Sequence, residues 1–440
     1  MGRRTVRRRG PAMGAALTAG LALCAALAAP ARATTSTPQQ YAFAPGARSV
    51  TGAESTTDAQ RLDAGGTYRS AIPFDGKLYY RLELGAQDTA YVSATAVPAP
   101  TATVSYADGI KVSVQDANGR RCLSGEFGNA RFGATAGPRP ITAWASRGIG
   151  PGEPTCQQPG TYYVLVERTG TDDSAHDGWQ LELQYTSEPA LRGAGPTVAP
   201  ENWNSASPRP LVGEARGCAG GAGFADAVAL DTGVWTDRIA PGQTLFYRVP
   251  VGWGQQLYAT AELGTAKGDG FVPGAMVMAL YNPARGFVDD IGATYDGRQR
   301  TAELDPLPPV RYENRHAVRD SASAMRFAGW YYLAVHLSTE VADDFGDGEI
   351  GLTLRVRVGG TAQTGPAYRG AAEPRDVFDI SPGGRESTTG GPDGAGGPDG
   401  KTGLRVLAAG GIGTGVVLVT GLGVWTLLAR RRAAAVRRGG

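Results

Sequence analysis

The sequence predicts an all-β protein: two tandem jelly-roll-like antiparallel β-sandwiches plus one C-terminal transmembrane helix. Three observations carry this. Five short blocks recur in the same order about 170 residues apart, those blocks alternate apolar with polar residues, and one long uncharged run stands near the C-terminus.

The repeat is read by aligning the chain with itself. Residues 58–65 match 226–233, each opening on Asp-Ala (Asp58-Ala59, Asp226-Ala227) and closing on Gly. Leu78-Tyr79-Tyr80-Arg81-Leu82 matches Leu245-Phe246-Tyr247-Arg248-Val249, and Val112-Ser113-Val114-Gln115-Asp116 matches Met278-Ala279-Leu280-Tyr281-Asn282. Residues 160–166 match 329–335, and Asp172-Asp173 with Leu181-Glu182-Leu183 match Asp343-Asp344 with Leu352-Thr353-Leu354. Chance supplies one such match; five in order mark an internal duplication. Leu78, Tyr80 and Leu82 alternate with polar neighbours, the rhythm of a strand with one buried face. Asp75-Gly76, Asp108-Gly109, Asn118-Gly119 and Pro241-Gly242 supply turns between such strands. The modules are expected at residues 41–187 and 211–358, after a short segment at 34–40 and with a linker at 188–210. Residues 359–403, rich in Gly and Pro, read as a flexible tether with an r.m.s. span of roughly 35–40 Å. Gly at 65 and Pro at 29 together exceed a fifth of the 440 residues, which suits short strands and many turns.

The two ends address the chain to a membrane. Residues 1–33 have an arginine-rich start, an apolar middle and the small-x-small ending Ala31-Arg32-Ala33, so cleavage is expected between Ala33 and Thr34. Arg3-Arg4 lacks the hydrophobic pair of a twin-arginine signal, which favours the general secretory route, and Leu23 before Cys24 does not fit a lipobox. Residues 404–429 contain an uncharged run from 406 that is long enough to cross about 30 Å of hydrocarbon. The basic tail at 430–440 then places the C-terminus in the cytoplasm and the modules outside. No Leu-Pro-x-Thr-Gly signal precedes the span, so a retained single-pass anchor is expected over transfer to a cell wall.

The opening "D-A-x-x-L-x-x-G", the strands at 76–81 and 242–248, the hairpin at 112–119 and "P-G-T-Y-Y-V-L-V" at 159–166 resemble the bacterial pre-peptidase C-terminal domain. The resemblance implies a small jelly-roll-like sandwich with accessory roles: substrate or matrix binding, secretion and surface retention. The whole arrangement resembles membrane-anchored secreted proteins of high-GC actinobacteria. Both modules are longer than that domain, residues 127–154 have no counterpart in its pattern, and no peptidase accompanies them.

The composition supplies little for catalysis. With 43 Lys+Arg against 41 Asp+Glu, and the basic excess at the chain ends, no nucleic-acid partner is expected. No G-x-S-x-G, H-E-x-x-H or phosphate-loop motif occurs, and His176, His316 and His336 are scattered, so no enzyme is expected. His336 stands opposite Leu333 and Val335 on its strand and reads as solvent-facing. The metal candidates are the acidic loops before each last strand: Asp172, Asp173 and Asp177, then Asp343, Asp344, Asp347 and Glu349. Carboxylates so grouped suit a structural Ca²⁺, though solvated turns have the same composition. Cys122 and Cys156 bracket the Gly-rich insert and are expected to bridge, leaving Cys218 as a free thiol, an intermolecular bridge, or the true partner of Cys156. Trp235, Trp253, Tyr258, Trp330 and their neighbours form a core or a platform for a ligand. Together these residues describe a membrane-anchored extracellular module pair that binds an envelope protein or a polysaccharide without catalysis. The competing readings are a secreted hydrolase or its accessory subunit, and a spacer with no saturable ligand.

Overall fold

Alternation along each strand builds two cores. In β4 (Lys77–Leu84), Leu78, Tyr80, Leu82 and Leu84 are buried while Lys77 and Glu83 face water. The structure is a computed structural model and describes residues 40–122, 128–133, 137–150, 153, 155–171 and 174–380. The expected signal, cleavage site, transmembrane helix and tail lie outside these residues. Among the described residues no helix is long and apolar enough to cross a membrane.

The first module alternates its chain between two sheets. One sheet is ordered β1 (Arg48–Ser49), β3 (Thr67–Ile72), β10 (Trp179–Glu188), β5 (Thr89–Val97), β8 (Ile141–Arg147); the other is β2 (Gln60–Arg61), β4, β9 (Gly160–Thr169), β6 (Gly109–Asp116), β7 (Asn129–Arg131). The second module has sheets β11 (Ala215–Gly217), β13 (Gly233–Ile239), β20 (Ile350–Gly359), β15 (Gln256–Leu263), β18 (Arg300–Glu303) and β12 (Val228–Ala229), β14 (Thr244–Val251), β19 (Gly329–Leu337), β16 (Val272–Tyr281), β17 (Phe287–Tyr295). Every strand of one module thus has its counterpart ten strands later, in the same place. The duplication read in the sequence is a duplication of topology.

One expectation about the sheets changes. The sheets are mixed rather than antiparallel, because β1–β3, β2–β4, β11–β13 and β12–β14 pair in parallel. A strand laid first in one sheet and then in the other returns by a crossover, and a crossover yields parallel neighbours. The insert at 127–154, which has no counterpart in the resembled domain's pattern, carries β7 and β8, which take the places that β17 and β18 hold in the second module. Cys122 is bonded to Cys156 across that insert, and Cys218 is a free thiol held against the Thr236 carbonyl.

The modules are not separate beads. Residues 40–380 fall within one compact unit. The outer face of the β3–β10–β5–β8 sheet is covered by the outer face of the β14–β19–β16 sheet, so β5 is buried on both sides. Tyr41 and partly buried Phe43 and Val97 pack with Phe224, Phe246, Tyr281 and Ala334 on one part of this seam. Tyr91 and Trp144 pack with Ala284, Phe327 and Phe378 on another. His336 lies under this cover, 1% exposed, with its Nδ1 3.0 Å from the Thr244 hydroxyl, which corrects the solvent-facing reading. Its alternation was read correctly; the face it points to is occupied by the other module.

Residues 361–380 lie along the seam as a strap. Tyr368 bridges to Leu191, Glu373 bridges to Ser187, and the Phe378 ring stacks on Phe327 at 4.5 Å.

Candidate functional site: a cleft at the seam

Two buried carboxylates on β10 hold the modules together. Glu182 accepts from the Tyr41 hydroxyl at 3.0 Å and from the Ala44 amide at 2.7 Å, and pairs with Arg285 of the second module. Glu188 accepts from Arg315 at 2.8 and 3.2 Å, from Tyr91 at 2.8 Å and from Tyr368 of the strap at 2.7 Å. Burial alone would push Glu188 up, but the Arg315 charge and the hydrogen bonds from Arg315, Tyr368 and Tyr91 outweigh it and hold the carboxyl below its ordinary value. Burial would likewise lower Arg315, and the Glu188 charge beside it raises it instead. Buried charges are tolerated when they are paired and their remaining hydrogen-bond capacity is filled, and both carboxylates meet that condition.

Where the linker, the strap and one loop of the second module meet over this network, they leave a cleft. A cavity of about 510 Å³ is walled by 193–196 of the linker, Trp253, Arg311, Tyr312 and Gln363–Ala367 of the strap. A second cavity of about 480 Å³ shares the linker wall and Tyr312, and reaches Gln87, Arg315 and Arg369. Backbone pairing fixes the walls: the Gln363 amide donates to the Trp253 carbonyl at 2.8 Å, and Arg192 and Arg369 amides donate to Ala367 and Ala190 at 2.8 Å. Asn314 pins the loop by donating to the carbonyls of Pro309 and Met325. Gly365 lies flat on the Trp253 indole, where a Cβ would come within 2.2 Å of Nε1, so a side chain there would displace the ring.

Inside the cleft the chemistry is planar and polar. The Arg315 guanidinium covers one face of Tyr312 at 3.4 Å from its centroid. Arg192 and Arg369 each donate to a backbone carbonyl, Arg326 donates to Ser323, and Arg285 and Arg315 meet carboxylates. Arg311 differs: its Nε is fully buried without a partner, and its guanidinium has no hydrogen bond or ion pair among the described residues. Such a site is made for contact with rings and anions.

The residues singled out in the sequence fall elsewhere. Asp343 and Asp344 sit on a short helix (Val341–Phe345), while Asp347 and Glu349 follow it and Glu349 is engaged by Arg238 at 3.0 Å. The Asp177 carbonyl accepts from Arg168, and Asp172 and Asp173 lie outside the described residues. Among the described residues no three His, Cys, Asp or Glu side chains gather as a metal set. Of the aromatics, Phe246, Tyr247 and Tyr331 are buried, Trp235 is covered by Arg216 and Trp330 by Arg248. Trp253 alone of that group lines the cleft cavities. Arg311, Tyr312 and Gln363 carried no signal, since they stand outside the alternating strands, Tyr312 opening a short 3₁₀ helix (Tyr312–His316).

No family model matches the chain, and no curated protein matches it. Solved structures similar to it include the CUB1-EGF-CUB2 domain of human MASP-1/3, at 9% identity and TM-score 0.17, covering 66% of this chain and 99% of that one. Another is the CBM22-1-CBM22-2 tandem domain of Paenibacillus barcinonensis Xyn10C, at 12% identity and TM-score 0.16, covering 70% and 95%. The ANXUR2 extracellular domain of Arabidopsis thaliana gives 9% identity and TM-score 0.17, covering 68% and 86%. Similarity at that level carries no functional argument; the fold and the cleft stand on their own geometry.

Proposed function

We propose that this protein is a non-enzymatic binding or scaffold protein of the bacterial cell envelope. In this reading it is exported by its N-terminal signal and held by its C-terminal apolar segment, with the locked module pair outside. The observation that carries the binding role is the seam cleft: a preformed recess, fixed by backbone pairing from three segments, with two rings and an unpaired guanidinium on its walls. The disulfide fits an oxidising compartment. The resemblance to accessory domains of exported proteins agrees with it.

The test is in-cell crosslinking of the tagged full-length chain, beside a control with the same signal, tether and anchor but no modules. Enrichment of an envelope component only when the modules are present is the expected result. Capture identical to the control would refute the binding role and leave a spacer.

A further inference from the structure

We propose that the ligand of the seam cleft is an acidic saccharide, with Arg311 receiving its carboxylate and Trp253 and Tyr312 meeting its sugar rings. The inference rests on the binding role above and names the chemistry of the ligand.

The argument begins with Arg311. A guanidinium is charged at every physiological pH and presents a rigid fork of donors that matches a carboxylate. Burying its Nε without an acceptor has a cost, of the kind proteins meet with a partner. Arg192, Arg315, Arg326 and Arg369 around the same seam all donate through theirs, and Arg285, whose Nε also lacks an acceptor, is paired with Glu182 through a terminal nitrogen. Arg311 faces the larger cavity instead. Across the two cavities three arginines (Arg311, Arg315, Arg369) stand against two glutamates (Glu188, Glu313), and Glu188 is already spent on Arg315. That leaves Arg311 and Arg369 against Glu313, an excess of one positive charge over the two cavities, and Arg311, which has no ion pair among the described residues, is the side chain an anion would complement.

The walls select what carries that anion. Trp253 and Tyr312 offer aromatic surface, and one face of Tyr312 is already taken by Arg315. Gln363 brings a planar amide, while Gly193, Gly195, Pro196 and Gly365 present backbone and small rings. A peptide ligand needs separate apolar pockets for its alternate side chains or an open strand edge. Here the larger aliphatic side chains are Leu191 and Val310, and the backbone of Trp253, Val310, Arg311, Gln363 and Ala367 is already paired. Flat C–H faces and a ring of hydroxyls suit these surfaces better.

The test is fluorescence titration of the full-length chain in detergent micelles. The probes are a hyaluronan tetrasaccharide, an oligogalacturonate and a muramic-acid disaccharide, each beside its carboxyl-reduced partner. At least one acidic probe is expected to bind at least tenfold more tightly than its neutral partner. R311Q should erase that difference while leaving the melting temperature unchanged, and W253A should weaken both members. Equal binding of every acidic and reduced pair, or an acidic preference that survives R311Q, would overturn the assignment. If no probe binds while the in-cell experiment captures a protein, the saccharide is overturned and the binding role stands. If the in-cell capture equals its control, both fall. The comparison of acidic with reduced probes needs no variant and remains decisive if R311Q fails to fold.

Discussion

His336 reports directly on whether the two modules are packed as described. Burial pulls its pKa from an ordinary 6.5 to about 3, the positive Arg139 of the first module pushes the same way, and a hydrogen bond with the Gln243 backbone opposes them. Between those two values the unfolded chain binds a proton that the folded chain refuses. Stability is therefore complete above pH 6.5 and declines as the pH falls, by about 1.4 kcal/mol per unit. From pH 7 to pH 5 the loss attributable to this one side chain is about 2 kcal/mol. Urea unfolding of the native chain and His336→Gln at the two pH values isolates it, because all other titrations are shared. The native chain is expected to lose about 2 kcal/mol more than the variant over that interval. In parallel, the His336 Cε1 resonance should keep its neutral shift at pH 5. An equal loss in both proteins, or a resonance titrating near 6.5, would mean that the β19 face is open to water and the seam is wrong.

Other perturbations probe the seam from different sides. Glu188→Gln breaks a buried pair and should cost about 3–5 kcal/mol, with much of it recovered by adding Arg315→Met. Because Glu188 is held below its ordinary 4.5, its contribution is present above that pH and is lost as the pH falls below it, so the variant should show a flatter acid limb in a pH series of melting curves. Phe378→Ala removes the ring stacked between the strap and Phe327, by about 3–5 kcal/mol if the site does not collapse, and limited proteolysis should then cut within 361–380 many-fold faster. Reducing the bond between Cys122 and Cys156, separated by 34 residues, should lower stability by about 3–4 kcal/mol in denaturant titrations.

Much of the fold was legible because strand alternation is written residue by residue. Leu78, Tyr80 and Leu82 are buried as their period requires, and the five aligned blocks anticipate two identical topologies. What alternation does not say is what lies against the second face. In the first module Glu167 sits on the outer side of β9 and pairs with Lys77 and Arg121 near the surface. Its counterpart in the second module is His336, a residue that can be buried neutral, and that exchange is the trace the seam leaves in the sequence. The far side of β20 shows the converse: Arg355 and Arg357 stand where β10 has Gln184 and Thr186, and Arg355 pairs with Glu262, so that face stays a charged surface. The strap escaped because its Gly and Pro content is that of a tether, while two anchors, Tyr368 and Phe378, decide where it lies. The cleft escaped for a related reason. Its residues come from segments outside the strands that only the packed modules bring together.

The central claim is that the seam of the locked pair builds the binding surface, and one measurement tests it most directly. A benzophenone side chain is placed at Gln363, on the exposed cleft wall, and in a second strain at Tyr106, exposed on the first module. Both full-length chains are irradiated in intact cells, and adducts are resolved by mass. The account predicts a discrete envelope adduct from position 363 and none from position 106. Adducts of equal yield and identity from the two positions, or none from 363, would contradict it.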